Sequence, residues 1–359
     1  MGVRPPDSQL KQQIMVDSPP QSLDASEMLI TPGLEEAEGY GPLPLRNLTL
    51  GEEVPFDVFL KIKQKGVKGY QFVKGCTRGD IYRQDWNQKL RQLKIPCVYV
   101  SLAEMGQVMH YIRHQLEMVL GDHSLSEVEK GVRVCDATHM WAINFFNRAE
   151  ARTPEEIKGA LYFLDYLFTV IKDDPHSLWQ FLKIKRHRGF RLYTHCLHVC
   201  LLGLTFTSYL GWTQKKALGF GLGALVHDIG LTRTPRTILE KKGALTAEEM
   251  LEIKRHPIDG GRMVQGFVNL RWEALQMVLQ HHENGDGSGY PKGLKRATIH
   301  SWARICRILD SYEAMTAKRP WRAAMEPKDA LWTMHSDWKR NKVFDPGYLK
   351  TFIKFLADT

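Results

Sequence analysis

The alternation of apolar and polar residues changes character along the chain. Residues 1–45 have no periodic apolar positions and are rich in proline, serine, glycine and glutamate. Such a composition cannot bury enough apolar surface to offset the entropy lost on ordering. Short apolar runs at residues 56–62, 69–73 and 96–100 predict strands, and helical spacing at 85–93 predicts a helix. We therefore expect a flexible tail followed by a small mixed module.

Helical spacing dominates the rest of the chain. From residue 102 onward the interruptions are few, and Arg152, Thr153 and Pro154 mark the end of one helix and the start of the next. The predicted fold is mainly α, with an all-helical C-terminal domain preceded by a small α/β module. The predicted divisions are a tail at 1–45, an α/β module at 46–122, a helical connector at 123–185 and the C-terminal domain at 186–359. The module either regulates the protein, mediates dimerisation or only packages the chain.

The composition is that of a globular protein. Of the 359 residues, 43% are apolar and 25% are charged, which excludes wholesale disorder and a fibrous repeat. The net charge of +9 favours the approach of an anionic ligand, but basic proteins are common and charge alone identifies no partner. Nucleic acid is therefore not an expected partner.

Cysteines and apolar stretches bear on the compartment. The six cysteines are scattered and form no CxxC pair, which argues against a zinc ribbon and against a disulfide framework. Residues 1–21 lack the apolar core of a signal peptide, and the apolar stretches at 197–206 and 217–226 are too short to span a bilayer. We expect a cytoplasmic protein with reduced thiols and no membrane contact.

The first candidate chemistry is the adjacent pair His227 and Asp228, which closes an apolar run that begins at Ala217. An ionised Asp228 would be costly in such surroundings without a strong partner. A divalent metal is one such partner, because imidazole and carboxylate groups are both good ligands. Taken alone, however, the pair more often means an exposed or capping aspartate beside a packed histidine.

Two further histidines lie on helical patterns. His195 has apolar residues one and two turns later, so its side chain should face the interior. His256 follows a segment that opens with the capping box of Thr246 and Glu249, and it precedes Pro257. We therefore expect His256 at or near the C-terminus of a helix.

The remaining candidates lie further along the chain. His281 and His282 follow a helical pattern and lead into a glycine-rich segment at 284–291, which should form a structured loop. Asp310 shares its predicted helical face with small residues that leave room around the carboxylate. An inward carboxylate at this position requires a partner.

Together these segments resemble the ordered motifs of the HD-GYP phosphodiesterases. The matching segments are His227 to Gly230, His256 with Pro257, His281 to Pro291 and Asp310 to Arg322. The resemblance covers about residues 186–345. It implies an all-helical HD-type catalytic domain that hydrolyses cyclic di-GMP to pGpG or on to GMP, with two or three metal ions, often iron or manganese.

The resemblance also implies a ligand set by matching position. One metal would be held by His195, His227, Asp228 and Asp310, and the other by Asp228, His256, His281 and His282. His227 and the bridging Asp228 would then lie at the catalytic centre, where two metals can share and activate a hydroxide. Family members with a third metal carry a glutamate at the position of Arg191, and a guanidinium cannot ligate a cation. We therefore expect two divalent ions, iron or manganese.

Substrate contacts are implied less completely. Arg319 and Arg322 could bind phosphate or guanine acceptors. Tyr290 either packs against a guanine base or only anchors its own loop. The family's phosphate-binding lysine is replaced by Leu231, for which Arg233 could substitute. An aspartate is replaced by Glu313, which can accept a hydrogen bond from a guanine edge or from a histidine.

Leu231 keeps a second reading open. A catalytically weak cyclic di-GMP sensor would retain metals and nucleotide but signal through a protein partner. Hydrolysis of another nucleotide, such as a hybrid cyclic dinucleotide, is a third possibility. Oligomeric state stays open as well, including a homodimer.

Overall fold

The structure is a computed structural model that describes residues 39–62, 70–147, 154–182, 191–241, 243–267, 270–317 and 322–358. The chain divides into two compact units, Met1–Gln115 and Leu116–Thr359. The first unit contains a small sheet, and the second is built from helices. The predicted fold class, a mainly helical protein with a small α/β module before the helical domain, is confirmed.

Four strands of the first unit form an antiparallel sheet in the order β1-β4-β2-β3. They are β1 (Tyr40–Pro44), β2 (Val58–Ile62), β3 (Gln71–Cys76) and β4 (Cys97–Ser101). Leu43 of β1 lies opposite Val98 of β4. The tail predicted at residues 1–45 differs from the structure at residues 40–44, which form strand β1 by pairing with a strand distant in sequence. Residues 1–38 of that tail lie outside the described part of the chain.

Two helices accompany this sheet. They are α1 (Gln84–Gln92) and α2 (Met105–Gly121), and α1 buries Trp86 and Leu90. The strands and the helix predicted from periodicity lie within three residues of β2, β3, α1 and β4 at each end. Periodicity succeeds here because each of these elements has its own apolar pattern.

The second unit contains most of the helices. They are α3 (Glu127–Asn147), α4 (Pro154–Asp173), α5 (Ser177–Phe181), α6 (Arg191–Tyr209), α7 (Gln214–Val226), α8 (Arg236–Leu239), α9 (Ala247–Lys254), α10 (His256–Val264), α11 (Trp272–Gln280), α12 (Ser301–Thr316), α13 (Pro327–Asn341) and α14 (Pro346–Asp358). Pro154 begins α4 as predicted, whereas Arg152 and Thr153 lie outside the described residues.

Helix α7 lies at the centre of this unit. It packs against α4, α6 and α11, and all of its residues from Gly219 to Val226 are buried. A helix without a polar face must be enclosed by its neighbours. His227 and Asp228 follow its last residue and are therefore inside the unit, where a short 3-10 helix (Ile229–Arg233) turns the chain away.

His256 lies just beyond the C-terminus of α9, near a helix C-terminus as predicted, and it also begins the next helix. It is the first residue of α10, whereas α9 ends at Lys254 after the predicted capping box of Thr246 and Glu249. Pro257 lacks the N–H that would continue the α9 hydrogen-bond pattern, but it fits the first turn of a new helix.

Two general findings complete the fold. Across the described residues, no helix combines the length and the apolar character needed to cross a membrane. All six cysteines are buried, and none of them forms a disulfide.

Candidate metal centre

Three histidines of the site make the same kind of hydrogen bond to the backbone. Each lies at a helix end and directs its Nδ1 at the carbonyl oxygen three residues earlier: His227 at Ala224 (2.7 Å), His256 at Ile253 (2.8 Å) and His281 at Val278 (2.9 Å). Carbonyl groups in the last turn of a helix have no partner within the helix, so they are available as acceptors. An Nδ1–H that donates there assigns the tautomer and leaves the Nε2 lone pair free for a ligand.

Asp228 lies between these lone pairs. Its Oδ1 atom is 3.1 Å from His256 Nε2 and 3.3 Å from His281 Nε2. Its Oδ2 atom is 3.5 Å from His227 Nε2. The two oxygens of one carboxylate therefore face two different sets of histidines, which is the arrangement that a bridging ligand requires.

The short distances in this cluster lie between atoms that are all hydrogen-bond acceptors. His256 Nε2 and His281 Nε2 are 3.0 Å apart, yet both rings direct Nδ1 at backbone carbonyls. His227 Nε2 and Asp228 Oδ1 are buried and have no hydrogen-bond partner within the described residues. Buried acceptors that face one another without a donor are costly. A divalent cation satisfies all of them at once, so the residues present fit a metal.

A second group of ligand atoms adjoins the first. His195 Nε2 lies 3.2 Å from Asp310 Oδ1 and 3.5 Å from Asp228 Oδ2. His195 is buried, as its helical pattern predicts. The ligand atoms of His195, His227 and Asp310 lie within 4.8 Å of one another, as do those of Asp228, His256, His281 and His282. All seven predicted metal ligands thus fall into two adjoining groups.

Cys196 was not predicted as a site residue. Its sulfur lies within 4.8 Å of ligand atoms of His227 and Asp228. The sequence contains one weak signal, the position of Cys196 beside His195. The signal is weak because neighbouring residues of a helix normally point in different directions.

Glu313 lies behind His195. Its Oε2 is 2.5 Å from His195 Nδ1, and its Oε1 is 3.3 Å from His198 Nδ1. The carboxylate is buried. Two acceptor roles were predicted for Glu313. The structure shows the contact with a histidine, and no observation supports the contact with a guanine. A carboxylate on the outer nitrogen of a ligand histidine orients the ring and raises its basicity.

Burial and neighbouring charges shift the pKa values of the histidines in different directions. Burial lowers the pKa of His227 to about 4 and that of His282 well below its usual range, so both rings are neutral at pH 7. Burial also disfavours a charge on His195, but Glu313 and Asp310 raise its pKa to about 10. The neighbouring histidines hold the pKa values of Asp228 and Asp310 low despite burial. Without a metal, the proton on His195 partly balances these carboxylates.

Tyr290 is packed against the ring of His282, a predicted metal ligand. It stacks on His282 with ring centroids 4.7 Å apart and an interplanar angle of 23°. One face of the tyrosine is therefore occupied, which supports the anchoring role. Any base stacked on this ring has only the opposite face available.

Glu283 orders the glycine-rich loop and was missed by the sequence reasoning. Its buried carboxylate accepts hydrogen bonds from the backbone N–H groups of Lys292 (2.7 Å) and Leu294 (2.8 Å). Arg307 of α12 donates from Nε to Asn284 Oδ1 at 3.1 Å, which ties the loop to the helix that carries Asp310. The available signal was an acidic residue placed directly after the two histidines.

Two glycines permit the backbone approaches on which the site depends. A Cβ atom on Gly230 would lie 2.0 Å from the His256 carbonyl oxygen and 2.6 Å from Gly260 N. A Cβ atom on Gly289 would lie 2.2 Å from Asn284 N. Both contacts are with backbone atoms, so no side-chain rotation can relieve them.

Replacing Gly230 with alanine should therefore destabilise the protein. Forcing apart two packed backbone segments should lower the free energy of unfolding by about 2 kcal/mol or more, and it should weaken metal binding because His256 moves. Thermal denaturation and metal content measure both effects. Gly243→Ala is the control, because a Cβ atom there meets nothing within 4 Å. Equal melting temperatures for the two variants would contradict the close approach.

The predicted substrate-binding arginines are placed as follows. Arg233 is the exposed last residue of the 3-10 helix, and Leu231 within that helix is half-buried. Arg322 donates from Nη2 to the carbonyl oxygens of Ala314 (2.6 Å) and Met315 (3.2 Å) near the end of α12. Arg319 lies outside the described residues.

Comparison with known proteins finds similar sequences. Residues 187–347 match the family model of the HD domain. Cyclic di-GMP phosphodiesterase PA4108 of Pseudomonas aeruginosa is 28% identical over 228 residues, which are 64% of this chain and 54% of that protein. The 3'3'-cGAMP-specific phosphodiesterase 1 of Vibrio cholerae is 36% identical over 139 residues, which are 39% of this chain and 32% of that protein. The chain thus spans about half the length of the first relative and a third of the second.

A solved structure has the same fold. Bd1817, an HDG"Y"P protein from Bdellovibrio bacteriovorus, matches with a TM-score of 0.65 at 18% identity, and the match covers 89% of this chain and 99% of that chain. At this level of identity the likeness concerns the fold alone.

Proposed function

We propose that this chain, whose residues 187–347 match the family model of the HD domain, is a metal-dependent phosphodiesterase that hydrolyses cyclic di-GMP to pGpG, to GMP or to both. The observation that carries the proposal is the pair of ligand groups that adjoin at Asp228. Relatives named as cyclic di-GMP phosphodiesterases support the substrate.

The proposed centre holds two divalent ions, iron or manganese. One ion would be bound by His195, His227, Asp228 and Asp310, and the other by Asp228, His256, His281 and His282. The mixture of imidazole and carboxylate donors suits these metals. When bound, such ions lower the pKa of water and stabilise charge on phosphoryl oxygens, so no side-chain nucleophile is required.

The residues of the chain orient this chemistry. Backbone carbonyls hold three ligand rings with Nε2 inward, and Glu313 holds His195 in the same sense. Burial excludes bulk water from the ligand atoms, which strengthens their electrostatic interaction with a cation. Glu283 and Arg307 fix the loop that carries Tyr290 beside His282.

A hybrid cyclic dinucleotide is the second candidate substrate. The specific observation is the 36% identity to a protein named as a 3'3'-cGAMP-specific phosphodiesterase. Both nucleotides offer the same scissile phosphodiester, so their bases would decide between them. Competition between the two nucleotides separates the candidates.

The remaining organisation is part of the proposal. Residues 46–122 would regulate or dimerise the protein, and residues 123–185 would connect them to the catalytic domain at 186–359. The protein would act in the cytoplasm, alone or with a signalling partner.

One experiment tests the proposed function. The protein is purified anaerobically, metal per chain is measured, and cyclic di-GMP is followed by chromatography with and without added manganese or ferrous iron. We expect metal-dependent turnover at low enzyme concentration. Tight binding of the nucleotide without turnover would instead identify the sensor alternative.

Metal affinity should rise with pH. In the metal-free protein the pKa of His195 is raised to about 10, so the ring is protonated at neutral pH. A metal must therefore displace that proton. Displacement of one proton makes the affinity increase about tenfold per pH unit. His227 is already neutral above about pH 4 and adds nothing to this slope at neutral pH. Dissociation constants for manganese at pH 6, 7 and 8 check the slope, and a constant value over this range would contradict it.

A further inference from the structure

We infer that Lys254 is a substrate contact, whose ammonium binds the phosphodiester of cyclic di-GMP that is not being cleaved. This inference rests on the proposed function and deepens it. A cyclic dinucleotide carries two phosphodiesters on one ring, so the second anionic group must lie elsewhere at the mouth of the site when the first is at the ligand groups. Lys254 is the last residue of α9, two residues before the ligand His256.

The side chain of Lys254 is directed towards the site. Its Nζ atom lies 5.6 Å from the centroid of the Tyr290 ring, which in turn stacks on His282 at 4.7 Å. The negative face of an aromatic ring attracts an ammonium group. The contact therefore places the ammonium group beside Tyr290, whose ring separates it from the proposed metal ligand His282.

Neighbouring basic residues are neutralised, whereas Lys254 is not. Lys241 pairs with Glu249 at 2.6 Å, and Arg255 pairs with Glu252 at 3.3 Å. Within the described residues, no carboxylate oxygen lies within 4.0 Å of Lys254 Nζ. Its exposed ammonium keeps its charge available for an incoming anion.

Two of the other positions considered for a phosphate contact provide no free cation in the described part of the chain. Leu231 supplies an apolar side chain where a lysine was expected, and Arg322 is engaged with carbonyl groups of α12. Lys254 meets both requirements of a remote phosphate contact, since its ammonium is not paired with a carboxylate of the described residues and lies over the Tyr290 ring beside the site.

The test compares Lys254→Gln with Lys254→Arg in the metal-loaded protein. Lys254→Gln should raise the KM for cyclic di-GMP about tenfold, as expected for loss of one charge-assisted contact. The kcat should stay within about twofold, because the uncleaved phosphate is bound equally in the ground state and in the transition state. Lys254→Arg should keep most of the affinity, because it keeps the charge.

Arg255→Gln is the matched control. Arg255 is the next residue and is also basic and exposed, but its guanidinium faces Glu252 and Asp259. This variant should leave the KM unchanged. Equal KM values for Lys254→Gln and Arg255→Gln would overturn the inference, since only general charge would then matter.

A second substrate separates binding from the metal chemistry. Bis(4-nitrophenyl) phosphate has a single phosphodiester, so Lys254→Gln should cleave it at the parent rate and keep the parent metal content. Loss of either would mean that Lys254 acts through His256, and the phosphate contact would be wrong. If the parent cleaves this substrate but neither cleaves nor binds cyclic di-GMP, the proposed function fails and the inference fails with it. If the parent cleaves cyclic di-GMP normally and Lys254→Gln does too, the inference alone fails.

Discussion

Replacement of Asp228 with alanine should abolish hydrolysis and remove most of the bound metal. Its Oδ1 faces His256 and His281, and its Oδ2 faces His227, so one carboxylate serves both groups. Loss of the charge proposed to hold both cations should lower the rate on the order of a thousandfold or more. Metal analysis after gel filtration and turnover of cyclic di-GMP measure the two effects.

Asp259→Ala is the matched control for this variant. Asp259 is also a buried carboxylate near the site, but its oxygens face Arg262 (3.4 Å) and Arg255 (4.0 Å). We expect Asp259→Ala to keep its metal. His256→Ala should empty mainly one group, because that ring belongs to one group only. Two metals retained by folded Asp228→Ala would rule out a bridging role.

Replacement of Glu313 with glutamine should weaken metal binding about 10- to 100-fold, the usual effect of losing a carboxylate behind a ligand histidine. The glutamine keeps the volume of the side chain but removes the negative charge 2.5 Å from His195 Nδ1. Calorimetry with manganese measures the affinity at fixed pH.

A readout specific to this mechanism is the proton that metal binding releases. Glu313 contributes to the raised pKa of His195, so the pKa should fall in Glu313→Gln and the pH dependence of metal affinity should become weaker. Glu313→Asp restores the charge with a shorter reach and should recover part of the affinity. A stability loss without a change in the pH dependence would show that Glu313 only supports packing.

Much of this protein follows from its sequence because the relevant signals are local. Buried helices and strands leave their periodicity in the order of apolar residues, and the capping box of Thr246 and Glu249 marks the start of α9. Metal ligands are similarly visible, since few side chains can bind a cation. The predicted ligand set from His195 to Asp310 came from the resemblance of these segments to the HD-GYP motifs, which they match in residue type and order.

The tertiary structure alone decided which of these residues meet and in what orientation. Glu313 lies 118 residues from His195 in sequence, so no local pattern joins them. The strand at residues 40–44 exists through pairing with β4, and Glu283 acquires its partners only when the loop folds back. The direction of Lys254 likewise depends on Tyr290, which comes from a distant segment. Sequence periodicity specifies which face of an element is buried, whereas contacts between elements depend on packing over the whole unit.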